Sequence, residues 1–203
     1  MPAIGITGGI STGKSTFVEY LRKLQPVGTF FDADQAAHAL LNRPEVQKQI
    51  RREFSAQVFS SAGDLNRTKL RAIVFADATK KLALEQILHP RIRCQWRAKA
   101  KEHRDSPKFF FADIPLLYET GGETLCERVV VVACSRNVQL DRLAKRKSLK
   151  RSEAEQMINS QMPLEEKIKR TDHVVWNNSD RVTLMEQAKD LVALWQGRSW
   201  KKS

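Results

Sequence analysis

Long apolar runs are missing from this sequence. No stretch approaches the roughly 18 consecutive apolar residues of a bilayer-spanning helix, and the chain goes from Met1 into a strand-like segment without the basic flank or small-residue cleavage site of a secretory leader. A cytoplasmic protein without a membrane partner is therefore expected. Cysteine is scarce: Cys94, Cys126 and Cys134 are an odd set without a CxxC pair, which argues against a disulfide framework and against a zinc site. Acidic residues are also short. Asp and Glu number 23 against 35 Lys and Arg, and the resulting +12 charge concentrates anionic partners around the chain. A polyphosphate ligand and a nucleic acid would both satisfy that charge. The basic residues gather at 91–104, 142–151 and 198–202 without a stripe alternating with aromatics, so no nucleic-acid partner is expected. Internal repeats, low-complexity tracts and interdomain linkers are absent, and 203 residues at 41% hydrophobic suit one domain, 1–203, with room for an embedded subdomain.

Apolar spacing orders the rest. Residues 3–7 form a short apolar run that ends at Gly8-Gly9, and 15–24 carry helical spacing through Phe17, Val18, Leu21 and Leu24. A second strand over 27–31 stops at Asp32. Helices over 35–41 and 44–54 follow, with Pro44 suited to a first turn. A polar, turn-rich segment over 55–66 leads into a helical stretch over 67–104, with a break expected near His89-Pro90. Further strands are predicted over 108–113, 128–133 and 173–176, and helices over 139–147, 152–161, 164–170 and 181–196.

Gly8-Gly9-Ile10-Ser11-Thr12-Gly13-Lys14-Ser15 matches GxxxxGK[ST], and it stands directly between a strand and a helix, where the mechanism of a phosphate loop requires it. In such a loop successive backbone N–H groups point at the phosphates of ATP and the helix adds its positive end. Lys14 then neutralises β/γ oxygens, Ser15 offers its hydroxyl to Mg²⁺, and Thr16 either contacts the α-phosphate or is merely tolerated in the first turn. With strands alternating with helices, the expectation is a three-layer α/β P-loop NTPase fold with a mostly parallel five-stranded sheet.

Asp32 and Asp34 fall at the carboxyl end of the second strand, where they can serve as metal ligand and general base for an attacking hydroxyl, or cap the following helix. Arg142 and Arg146 lie one helical turn apart and share a face that can supply positive charge to a loose phosphoryl transition state.

The ordered set of Thr7-Gly8-Gly9, Asp32-Ala33-Asp34, Gly63-Asp64-Leu65-Asn66-Arg67, Leu88-His89-Pro90, Ile114-Pro115-Leu116-Leu117-Tyr118-Glu119, Arg142, Arg146, Gln156, Gln161 and Asn177-Asn178 resembles the dephospho-coenzyme A kinases over almost the whole chain. The resemblance implies transfer of the ATP γ-phosphate to the ribose 3′-hydroxyl of dephospho-coenzyme A, the final step of coenzyme A biosynthesis. It casts Asp34 as the base, Lys14 and Arg142 as catalytic, and Ser15 and Asp32 as metal contacts. Gly9, Ile10, Ser11, Thr12, Gly13, Lys14, Ser15, Thr16, Arg142, Arg146, Asn177 and Asn178 would hold ATP. Asp32, Asp34, Arg67, His89, Leu116, Tyr118 and Glu119 would serve the acceptor. It also implies a helical acceptor-binding insertion over roughly 44–104 and a basic lid over roughly 140–162. Asp113 is open between a water-mediated metal contact and a cap, and His89 between a substrate contact and a fixed helix bend. The expected partners are ATP with Mg²⁺ and dephospho-coenzyme A, on a monomer or weak homo-oligomer. A nucleoside or nucleotide monophosphate kinase would share the loop, lid and fold, and the Asp32-Ala33-Asp34 and His89-Pro90 pairing argues against it. Two positions depart from the family: Ser11-Thr12 stands where Gly-Ser is usual and Phe54-Ser55 where Phe-Gly is common. The first is awkward only if residue 11 needs a positive φ.

Overall fold

The three central strands are short and almost wholly buried, as a parallel sheet covered from above and below requires, whereas the last strand exposes Val174 and Trp176. The computed structural model describes residues 3–147 and 149–197, for residues 146 and 147 the backbone only. β1 (Ala3–Gly8), β2 (Thr29–Asp32), β3 (Phe110–Asp113), β4 (Arg128–Ala133) and β5 (His173–Trp176) form a five-stranded sheet in the order β2-β3-β1-β4-β5. β1 is central and runs parallel to β3 and β4, and β4 runs parallel to β5. β2 begins later than its apolar residues suggest, because the Gly28 amide bonds the Gln25 carbonyl at 3.0 Å and holds Val27 in an exposed turn.

The chain divides into two units, Met1–Phe31 with Lys99–Ser203, and Asp32–Ala98. In the first, Ile4, Ile6, Val130 and Val132 present one sheet face to Phe17, Val18 and Leu21 of α1 (Lys14–Leu24), while Leu184, Ala188, Val192 and Trp195 come from the C-terminal helix, Arg181–Gln196. Gly5 shows its α-carbon to the other face, where an added Cβ would meet Cys126 Sγ at 2.6 Å and a Leu117 methyl at 2.9 Å. Each large side chain buried this way contributes about 1.5–3 kcal/mol, so alternation along β1 fixes which of its faces meets α1.

The second unit is helical: α2 (Ala33–Leu40), α3 (Pro44–Phe54), α4 (Arg67–Ala76) and the start of α5 (Ala78–Glu102). Val46, Ile50, Phe54, Val58, Leu70, Ile87 and Leu88 are among its core. The break expected at His89-Pro90 is instead at Asp77. Its carboxylate accepts from the Thr79 hydroxyl and amide and from the Lys80 amide at 2.6, 2.8 and 3.2 Å, which caps α5 and holds the Asp77 carboxyl below its ordinary pKa. Pro90 withholds one amide from the helix ladder, yet α5 runs through it. Arg91 Nη1 donates to the Ile87 carbonyl at 2.5 Å, placing a donor beside the gap, and burial of Ile87, Leu88 and Trp96 favours the continuous helix. Ser55, after α3, sits at φ 59° and ψ −176°, a region that is essentially glycine's.

Candidate active site

The glycine loop leaves the carboxyl end of β1 and is held by its carbonyls. Gly9 O accepts from the Thr12 hydroxyl at 2.9 Å, and Ile10 O from Gln139 Nε2 at 2.8 Å. Thr12 O accepts from Asn177 Nδ2 at 2.8 Å and from Arg142 Nη1 at 3.2 Å. Gly8 O faces Lys167 Nζ at 3.4 Å. The amides of Ser11, Gly13, Lys14 and Ser15 donate to nothing among the described residues. Tethering the carbonyls on one side leaves a row of unpaired N–H groups and a helix N-terminus, the construction that binds phosphate oxygens.

Local chemistry explains the shape. Gly13 precedes α1 at φ 95°, which a side chain resists, and a Cβ there would lie 2.1 Å from Asn177 Nδ2. Ser11 is left-handed too, at φ 57°. The condition under which its side chain is awkward is thus met, at about 1–2 kcal/mol. Ile10 packs against Leu140, Leu143 and Ala154 of the helical pair α6 (Arg136–Lys147) and α7 (Arg151–Asn159), so the loop is joined to the expected lid region by apolar contact as well as by Gln139.

Lys14 Nζ is paired with the carboxylate of Asp113, the last residue of β3, which lies across from Ile6 of β1. Asp113 therefore partners the loop lysine, a role beyond the two that the sequence left open. Ser15 is exposed in the first turn of α1, whereas Thr12 is fully buried with its hydroxyl turned back to Gly9.

Ser11, Gly13, Thr16, Arg142, Asn177 and Asp180 line an open cleft of about 480 Å³ beside the loop. Arg142 was expected at the transferring phosphate. Its two terminal nitrogens donate to Thr12 O and, at 3.0 Å, to Asn177 O, so it braces the loop and walls the cleft. It also faces Cys134, whose thiol is pushed up by burial with the guanidinium opposing. Asn178 Oδ1 accepts from the Ser135 amide at 2.8 Å and ties the ends of β4 and β5 together. The side chain of Arg146 lies outside the described residues, as do residues 198–202 of the basic tail.

Glu119 and Tyr118, expected to serve the acceptor, both have partners within the protein. Glu119 Oε1 pairs with Lys167 Nζ at 2.8 Å and accepts from the Met162 amide at 3.1 Å. The Tyr118 ring is buried under the Arg170 guanidinium, 4.5 Å from its centroid, and burial raises the phenol's pKa. Leu116 is half-buried, and its carbonyl accepts from the Thr120 hydroxyl at 2.7 Å.

The second unit carries the remaining candidates. Asp32 caps α2 by accepting from the Gln35 amide at 2.9 Å, and Asp34 stands exposed in that helix's first turn. Arg67 donates to Asn42 Oδ1 at 2.7 Å and to His38 O at 3.4 Å. His89 is half-buried in mid-helix.

Sequence reasoning missed Gln139 and Lys167, which brace the loop from positions 129 and 159 residues distant. Lys167 had a readable signal: with Leu164 and Ile168 it completes an i, i+3, i+4 face, a lysine in an apolar stripe.

A family model described as dephospho-CoA kinase matches residues 2–182. A dephospho-CoA kinase from Bacillus cereus is 38% identical over 195 residues, covering 95% of this chain and 96% of that protein. Among solved structures, a Thermus thermophilus protein is 31% identical with a TM-score of 0.79, covering 98% of each chain. The dephospho-CoA kinase from Campylobacter jejuni is 29% identical with a TM-score of 0.71, covering 94% of this chain and 95% of that one.

Proposed function

The chain belongs to the dephospho-CoA kinase family and phosphorylates dephospho-CoA to coenzyme A, and from that premise we propose how its own residues carry out the transfer. The family match favours this acceptor over nucleosides and nucleoside monophosphates. The observation that carries the mechanism is the loop with its carbonyls tethered and its amides unpaired. Those amides hold the β-phosphate of ATP, and Lys14, relinquishing part of its hold on Asp113, neutralises β/γ oxygens. Arg142, Asn177 and Thr16 line the cleft that takes the nucleoside part. Phosphoryl chemistry of this kind uses a divalent cation, and the oxygen donors of Ser15 and Asp32, hydroxyl and carboxylate, suit a hard ion such as Mg²⁺. Held there, such an ion would supply charge neutralisation to the phosphates.

Asp34 accepts the proton of the acceptor's ribose 3′-hydroxyl. The hydroxyl oxygen forms a bond to the γ-phosphorus as the bond from that phosphorus to the β,γ-bridging oxygen breaks, and ADP leaves. Arg67 offers a guanidinium to the acceptor's diphosphate, for which its exposure suits it. His89 contributes a hydrogen bond to the acceptor, and Arg146 a positive charge from the lid. The protein acts in the cytoplasm as a monomer or weak homo-oligomer. No helix among the described residues is long and apolar enough to cross a membrane.

The test supplies Mg·ATP and dephospho-CoA and locates the new phosphate by ³¹P NMR. The expected product carries it on the ribose 3′-oxygen, and Lys14→Ala makes none. Phosphate at another position, or normal turnover by Lys14→Ala, would overturn the reading.

A further inference from the structure

A lysine with no exposed side-chain surface is costly unless its ammonium is paired and hydrogen-bonded. Lys167, in the helix Leu164–Lys169, is such a residue: its side chain is 0% exposed and its nitrogen meets three acceptors. Glu119 Oε1 lies at 2.8 Å, Pro115 O at 3.1 Å and Gly8 O at 3.4 Å. Each acceptor belongs to a segment bordering the loop. Pro115 O, just past β3, also accepts from the Thr7 hydroxyl of β1 at 2.9 Å. Glu119 Oε1 also accepts from the Met162 amide, where the chain returns from α7. Gly8 is the last residue of β1, and its carbonyl shares a peptide unit with the amide of Gly9.

We infer that Lys167 is a positioning residue for phosphate binding, acting through the Gly8–Gly9 peptide. A cation donating to a carbonyl draws electron density from the peptide and makes the N–H at its other end a stronger donor. The Gly9 amide opens the loop, so a buried ammonium behind it strengthens the grip on an anion in front. Glu119, partly exposed at the edge of the core, neutralises the buried ammonium and fixes the lysine's angle. The same ammonium joins β1, the segment after β3 and the return from the lid, so it also holds the loop entrance in register.

The inference rests on the phosphate-loop reading, and the experiment separates the two. The variants are Lys167→Arg, which keeps a donor, and Lys167→Met combined with Glu119→Gln, which removes both charges and so leaves no carboxylate without its cation. Binding of ADP and of adenosine is measured by calorimetry on folded protein, with circular dichroism as the check. The double variant should bind ADP about tenfold more weakly and adenosine as the wild type does, and Lys167→Arg should recover most of the ADP affinity. A general structural role would weaken both ligands alike. Unchanged ADP binding, or equal losses for ADP and adenosine, overturns the role of Lys167 while leaving the loop's function intact. Failure of the wild type to bind ADP overturns the loop reading and this inference with it.

Discussion

The side-chain amide of Asn177 donates to the Thr12 carbonyl at 2.8 Å and lies directly against Gly13, where a Cβ would sit 2.1 Å from its nitrogen. A residue from the end of the sheet's last strand thus rests on the one loop position that has neither side chain nor ordinary φ. Gly13→Ala has to displace Asn177 and adopt φ 95°. It should weaken ATP binding by at least about tenfold without unfolding the sheet, as a titration of ATP against folded protein would show.

Asp34 is exposed in the first turn of α2, so its removal costs little stability. Asp34→Asn should lower kcat by about two to four orders of magnitude at unchanged Tm. Asp32→Ala behaves differently: it loses the cap on Gln35 and should cost about 1 kcal/mol in urea denaturation. An effect of Asp34→Asn on the acceptor's KM alone would reassign that residue to positioning.

Arg142 braces two carbonyls at the cleft. Arg142→Ala should therefore raise the KM for ATP about tenfold and reduce kcat by less. Steady-state kinetics at saturating acceptor separate these, and a loss confined to kcat would return Arg142 to the transferring phosphate.

What could be read in advance followed from local rules. The loop showed itself because GxxxxGK[ST] lies between an apolar run and an amphipathic helix, and the sheet because its strands are continuously apolar. Asp77 could have been recognised as a cap from Asp-Ala-Thr-Lys, yet Pro90 carried more weight as a breaker. Packing of Ile87, Leu88 and Trp96 overrides that local preference. Lys14–Asp113 and Glu119–Lys167 were invisible because spatial proximity between residues 99 and 48 positions apart depends on strand order, which spacing does not encode.

Ser55 holds φ 59° and ψ −176° between α3 and the short turn that follows. Replacing it with glycine removes steric strain and leaves the core contacts of Phe54 and Val58 untouched. Ser55→Gly should stabilise the protein by about 1 kcal/mol, measured as a higher denaturation midpoint at constant slope.

Burial of Cys126 pushes its thiol up to about 12, with the Glu123 carboxylate adding to the shift. At pH 8 its thiolate is then about one part in ten thousand, while Cys94 is exposed. Thiol titration with Ellman's reagent should give one fast group, Cys94, and two that appear only on unfolding. The proton is held more tightly in the folded chain, so this thiol's contribution is complete below pH 9 and is lost as pH rises toward 12.

Gln139, Arg142, Lys167 and Asn177 reach back to the loop from 129, 130, 159 and 165 residues away. A chain that lacked everything from Gln139 onward would keep each residue of the motif and lose all four of these braces. Competence to grip an anion is therefore a property of the assembled sheet end rather than of the eight residues that advertise it.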